Sequence, residues 1–105
     1  MKNFREMEEK LDGREKMRMG NHLFLERLDG GRIAVKYYAT YIVVYHIDGR
    51  IILNNGNQMT KSTKERINEH SPVTVNSKKG LWFLANGEPF VNGMNVGEEE
   101  LNLVG

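Results

Sequence analysis

Residues 22–53 read HLFLERLDGGRIAVKYYATYIVVYHIDGRIIL, and this stretch decides the fold. Apolar and polar side chains alternate with period two, and β-branched and aromatic residues dominate, the pattern of half-buried strands. Asp29-Gly30-Gly31 and Asp48-Gly49 interrupt the pattern with residues that tolerate the positive φ of tight reversals. Four strands follow, His22–Leu28, Arg32–Tyr38, Tyr41–Ile47 and Arg50–Leu53, with Ala39-Thr40 making the remaining turn. Connections this short permit only an antiparallel meander. In the second strand Ile33, Val35 and Tyr37 share one face. The third strand has no polar face, because Ile42 and Val44 oppose Val43 and Tyr45. It is expected at the centre of the sheet, covered on both sides, or covered on one side by another subunit.

Downstream, Thr60-Lys61-Ser62-Thr63-Lys64-Glu65-Arg66-Ile67-Asn68 is expected to start a short helix. Ser62 and Glu65 have the spacing of a capping box, and Thr60 is an alternative cap. Ser71-Pro72 closes the helix, since the residue before proline avoids helical angles. Three more strands are expected at Val73–Asn76, Leu81–Ala85 and Pro89–Val96. Lys78-Lys79-Gly80 and Asn86-Gly87 provide their turns, and Asn92-Gly93 marks a bulge or bend. The fold class is α+β: a four-stranded antiparallel meander, a short helical segment, then a three-stranded antiparallel sheet. Upstream lies a charged leader, residues 1–19, helical or disordered, in which Phe4, Met7 and Leu11 form a thin apolar stripe ended by Asp12-Gly13. Residues 20–105 form one domain, and Glu98-Glu99-Glu100 reads as a solvated acidic tail.

Composition narrows the function classes. Over 105 residues, 15 lysines and arginines face 14 acidic residues for a net charge of +1, which gives no case for general DNA binding. There is no cysteine, so disulfides, thiol nucleophiles and cysteine metal sites are excluded. No apolar run approaches the ~18 residues of a membrane span, and the charged start lacks the apolar core of a signal peptide. A cytoplasmic protein with no membrane partner is expected. His22, His46 and His70 have no metal-ligand spacing, and no phosphate-loop or nucleophile motif occurs. The expectation is a non-enzymatic protein without cofactor or metal.

Binding is the remaining reading, and the helix start is where it points. A helix N-terminus carries unpaired N–H groups and partial positive charge, which favour anions. Capping accounts for Ser62 and Glu65, but not for Lys61, Lys64, Arg66 and Asn68. Hydroxyls on Thr60, Ser62 and Thr63 add donors, and Arg66 suits bidentate phosphate recognition. The segment Asn54-Asn55-Gly56-Asn57-Gln58 precedes the helix; its amides suit either a turn or ligand recognition. Among the aromatics Tyr37, Tyr38, Tyr41, Tyr45, Trp82, Phe83 and Phe90, alternation puts Trp82 and Phe83 on opposite faces, one in the core and one free to stack.

Two resemblances add to this. Gly20-Asn21, the run from Asp29 to Val35, Asp48-Gly49, Leu53-Asn54, Thr63-Lys64-x-Arg66-Ile67-Asn68, Gly80-x-Trp82-Phe83 and Pro89-Phe90-x-x-Gly93-Met94 resemble a small protein family of tailed bacteriophages and related bacterial genomes. That resemblance covers residues 20–96 and implies a phage or prophage origin, without an activity. The order of sheet, short helices and three-stranded sheet is similar to the Thoeris anti-defence sponge proteins of phages. That similarity implies a non-enzymatic homo-oligomer that sequesters a cyclic nucleotide signal in the host cytoplasm. It further implies ligand contacts from Lys64, Arg66, Asn68 and Trp82, with Lys61 beside them. Two alternatives stand: a nucleic-acid-binding module using Lys61, Lys64, Arg66, Lys78 and Lys79, or a structural subunit that buries Tyr41–Ile47 between protomers.

Overall fold

A computed structural model describes residues 2–97. The expected acidic tail, Glu98 to Glu100, lies outside the described residues. The chain is α+β: helix α1 (Phe4–Leu11), strands β1 (Lys16–Gly20), β2 (Leu23–Arg27), β3 (Ile33–Tyr37), β4 (Thr40–Tyr45) and β5 (Ile51–Leu53), helix α2 (Lys61–His70), then β6 (Val75–Lys78), β7 (Leu81–Leu84) and β8 (Met94–Asn95). The first five strands and β8 make one antiparallel sheet in the order β1-β2-β3-β4-β5-β8, and β6-β7 is a separate hairpin. The four-strand meander is β2 to β5.

Strands β1 and β8 extend that meander at its two edges. Met17 and Met19 alternate with Lys16 and Arg18, so β1 pairs with β2 as the edge strand. The third strand expected for the second sheet is divided. Pro89 makes a lone bridge to Phe83, and Met94–Asn95 crosses to β5. Proline has no N–H to donate to a ladder, and Gly93 at φ 89° breaks the extended run.

One face of the large sheet carries the core. Leu25, Ile33, Val35, Val43, Tyr45 and Leu53 are fully buried there, under Met7 and Leu11 of α1 and Ile67 of α2. The hairpin adds Val75, Trp82 and Leu84 from the side. Helix α1 forms because Asn3 caps it, its side chain accepting from the Glu6 amide at 2.9 Å, and Asp12 in a left-handed conformation ends it. A bulge explains the two-sided apolar character of β4. Val35 pairs with Val43 but Lys36 pairs with Tyr41, so Ile42 is an extra residue and both Ile42 and Val43 turn inward. Strand β4 is central in the sheet, and its Val44 face is only half-buried in this chain. No helix among the described residues is long and apolar enough to cross a membrane.

Candidate functional site

Helix α2 starts two residues earlier than the Ser62–Glu65 box implies. Thr60 is the cap: its backbone is extended, its Oγ1 accepts from the Thr63 amide at 3.2 Å, and it donates to Thr63 Oγ1 at 2.9 Å. Capping by Thr60 lets Thr63 sink into the protein at 5% exposure, while Ser62 and Glu65 stay at the surface.

The helical period then separates the expected ligand residues. Lys61 is exposed in the first turn. Lys64 Nζ donates to Ser77 Oγ at 2.8 Å. Asn68 takes both backbone groups of Val75, donating to its carbonyl at 3.0 Å and accepting from its amide at 2.7 Å. Arg66 lies on the other side, with Nε 2.7 Å from Glu69 Oε1 in an ion pair. Trp82 is buried at 5% exposure, edge-on to Phe90 with centroids 5.2 Å apart. Lys64 and Asn68 therefore fasten α2 to the hairpin along one seam, while Trp82 packs in the core beside Phe90. Lys61 and Arg66 stand off that seam.

One of the open spaces lies at the start of the helix. A cavity of about 440 Å³ sits between the β3–β4 turn and the first turn of α2. Its lining includes Tyr37 and Tyr38 from the β3–β4 turn and Thr60, Ser62 and Thr63 from the start of α2. The floor includes Ile42, Asn55 and Gly56. All of these side chains are uncharged. The amides of Lys61 and Ser62, in the first turn, have no acceptor among the described residues.

Each wall has a local cause. The Asn-rich loop is held by its own amides: Asn54 Oδ1 accepts from Gly56 N at 2.7 Å, and Asn55 Oδ1 from Asn57 N at 2.8 Å. Asn92 Oδ1 accepts from Asn55 N at 2.8 Å, tying the loop to the last segment. Gly56, at φ 62°, lies so close to β4 that a Cβ there would stand 2.4 Å from Thr40 Oγ1. Tyr38, at φ 53°, stacks on His22 with centroids 4.3 Å apart and planes 15° apart; Tyr37 meets Tyr38 edge-on at 4.8 Å. His22 also has positive φ, 56°, and its carbonyl accepts from the Tyr38 amide at 2.8 Å. Two tight turns thus hold a half-open aromatic cluster at the mouth, with Tyr38 60% exposed. Sequence reasoning reaches Tyr37, Tyr38 and the hydroxyls but not His22, whose place depends on β1 pairing with β2.

The perturbed ionisable groups are elsewhere. Burial pushes the Tyr45 hydroxyl far above the usual tyrosine range, and Glu6 adds to this; that hydroxyl donates to the His70 carbonyl. Burial holds the His70 imidazole below its ordinary value, opposed by Glu69, and its buried Nδ1 has no hydrogen-bond partner among the described residues. Burial and the Arg50 guanidinium lower His46. Among the described residues no three His, Asp or Glu side chains gather as a metal site. Comparison with protein-family models, curated proteins and solved structures finds no match for this chain.

Proposed function

We propose that the cavity between the β3–β4 turn and the start of α2 binds a small phosphate-bearing planar ligand, a cyclic nucleotide being the best fit. The protein would then act by sequestration and not by chemistry, as a phage accessory protein that blunts a host signal. The observation that carries this reading is the pairing of an aromatic wall, Tyr37 and Tyr38, with the hydroxyl-rich first turn of α2 across one cavity of about 440 Å³. That volume falls in the range of small-molecule sites, roughly 300–1,000 Å³. Phosphate oxygens are satisfied by N–H and O–H donors at a helix N-terminus, where the dipole favours negative charge. A base offers its face or edge to tyrosine rings. Lys61, between the lining residues Thr60 and Ser62, is the one residue of the expected set beside this opening; Lys64, Arg66, Asn68 and Trp82 are engaged with Ser77, Glu69, Val75 and Phe90.

The test is a ¹⁵N-edited NMR titration of the full chain with cyclic mononucleotides, cyclic dinucleotides and inorganic phosphate. The amides of Lys61, Ser62 and Thr63 and the Tyr38 ring signals shift together with one saturating isotherm, and Tyr38→Ala weakens that isotherm about tenfold. An absence of shifts at millimolar ligand, or shifts confined to another surface, contradicts the reading.

A further inference from the structure

The sheet face opposite the helices has a composition at odds with the near-neutral chain. Both helices contribute to the core on the Leu25–Val43–Leu53 side. On the other side the pairing aligns Arg18, Phe24, Lys36 and Tyr41 in one row, and Lys16, Glu26, Ala34, Val44 and Ile52 in the next. Arg32, His46 and Arg50 follow at the far end by the same alternation, around Asp48. Five of the chain's 15 cations therefore share this face with two of its 14 carboxylates, Glu26 and Asp48.

Those carboxylates offset two of the five cations and leave three. Asp48 is taken by Arg50 at 2.9 Å, and Glu26 accepts from Tyr41 Oη at 3.3 Å with Lys16 at 3.6 Å. No carboxylate among the described residues pairs with Arg18, Arg32 or Lys36. Arg18 instead reaches the Gly20 carbonyl and Asn21, and Lys36 lies over the Tyr41 ring, 5.5 Å from its centroid. Lys16 sits in the same way over Phe24 at 4.6 Å. The face is thus an open platform of cation-and-ring pairs, with Tyr41 37% exposed.

We infer that this face binds single-stranded nucleic acid. A flexible polyanion with unstacked bases matches both features at once: the ammonium and guanidinium groups take phosphates, and each ring receives a base in place of the lysine now above it. Duplex DNA offers phosphates but no free base faces, and a second copy of this chain would bring a like-charged face. The site is separate from the cavity at α2, and its salt dependence is steep because several phosphates are contacted, whereas a pocketed mononucleotide presents one or two.

Fluorescence anisotropy of a labelled single strand of about 12 nucleotides with the full chain tests this, from about 50 to about 200 mM salt. Binding is expected to fall steeply with salt. Tyr41→Ala is expected to weaken it about tenfold without changing the salt slope, and Lys36→Glu or Arg18→Glu at least as much with a shallower slope. Tyr38→Ala leaves it unchanged. Arg18 is exposed on the edge strand, so its reversal keeps the test open if Lys36→Glu does not fold. The inference is overturned by no binding at the lowest salt, by equal binding to a duplex of the same length, or by affinity indifferent to Tyr41→Ala.

Discussion

Tyr45 and His70 show how single residues set the stability of this fold. The Tyr45 hydroxyl is buried and donates to the His70 carbonyl at the end of α2, so Tyr45→Phe leaves that carbonyl without its donor. A loss of about 1–3 kcal/mol in urea unfolding is expected. The His70 imidazole is held below its ordinary pKa by burial, so the folded state favours the neutral ring. Protonation therefore favours the unfolded chain, so this contribution is present above about pH 6.5 and is lost as pH falls below it. The melting temperature should therefore drop between neutral pH and about pH 5, and His70→Gln should flatten part of that drop. An unchanged profile in the variant would remove His70 from the explanation. Gly56 acts at the same scale on the cavity. Its φ of 62° and its approach to Thr40 make Gly56→Ala both strained and obstructive. The variant is expected to lose about 1–3 kcal/mol and to push the loop off the cavity floor.

At the scale of elements, the two ends of α2 and the first helix decide how the layers fit. Thr60→Ala should cost about 1 kcal/mol, while Ser62→Ala should cost almost nothing, because Thr60 and not Ser62 accepts from the first-turn amide. Leu11→Ala should cost about 2–5 kcal/mol, because Leu11 is fully buried against the sheet. Chemical unfolding of the three variants checks both claims. The same elements show what can be read from a sequence. The meander from Leu23 to Leu53 was legible because Asp-Gly turns and period-two alternation are local signals. Phe4, Met7 and Leu11 likewise announced α1. Strand β1 was not legible, since Met17 and Met19 alternate over too few residues to stand out from a charged leader, and pairing with β2 supplies the rest. The cavity was half legible. Its hydroxyls, tyrosines and Asn-rich loop could each be named. Their convergence depends on Gly56 docking against Thr40, a contact between distant segments. The chemistry of the charges and the tryptophan suits a ligand, yet Lys64, Arg66, Asn68 and Trp82 are engaged with Ser77, Glu69, Val75 and Phe90.

At the scale of the molecule, the fold is two layers with different surfaces. The helices close one face of the sheet, the β6–β7 hairpin is fastened to α2, and a cavity opens where α2 meets the β3–β4 turn. Nothing in that arrangement needs to move for a small ligand to enter, so binding should be a simple one-site equilibrium that also raises the melting temperature. Native mass spectrometry of the full chain, purified from cells that contain candidate signals and then re-incubated with cyclic nucleotides, shows whether the cavity holds such a ligand. A small molecule of nucleotide mass is expected to be retained in stoichiometric ratio to the chain, lost in Tyr38→Ala and kept in Arg66→Ala. A ligand-free chain under all these conditions, or retention that depends on Arg66 and ignores Tyr38, would contradict it.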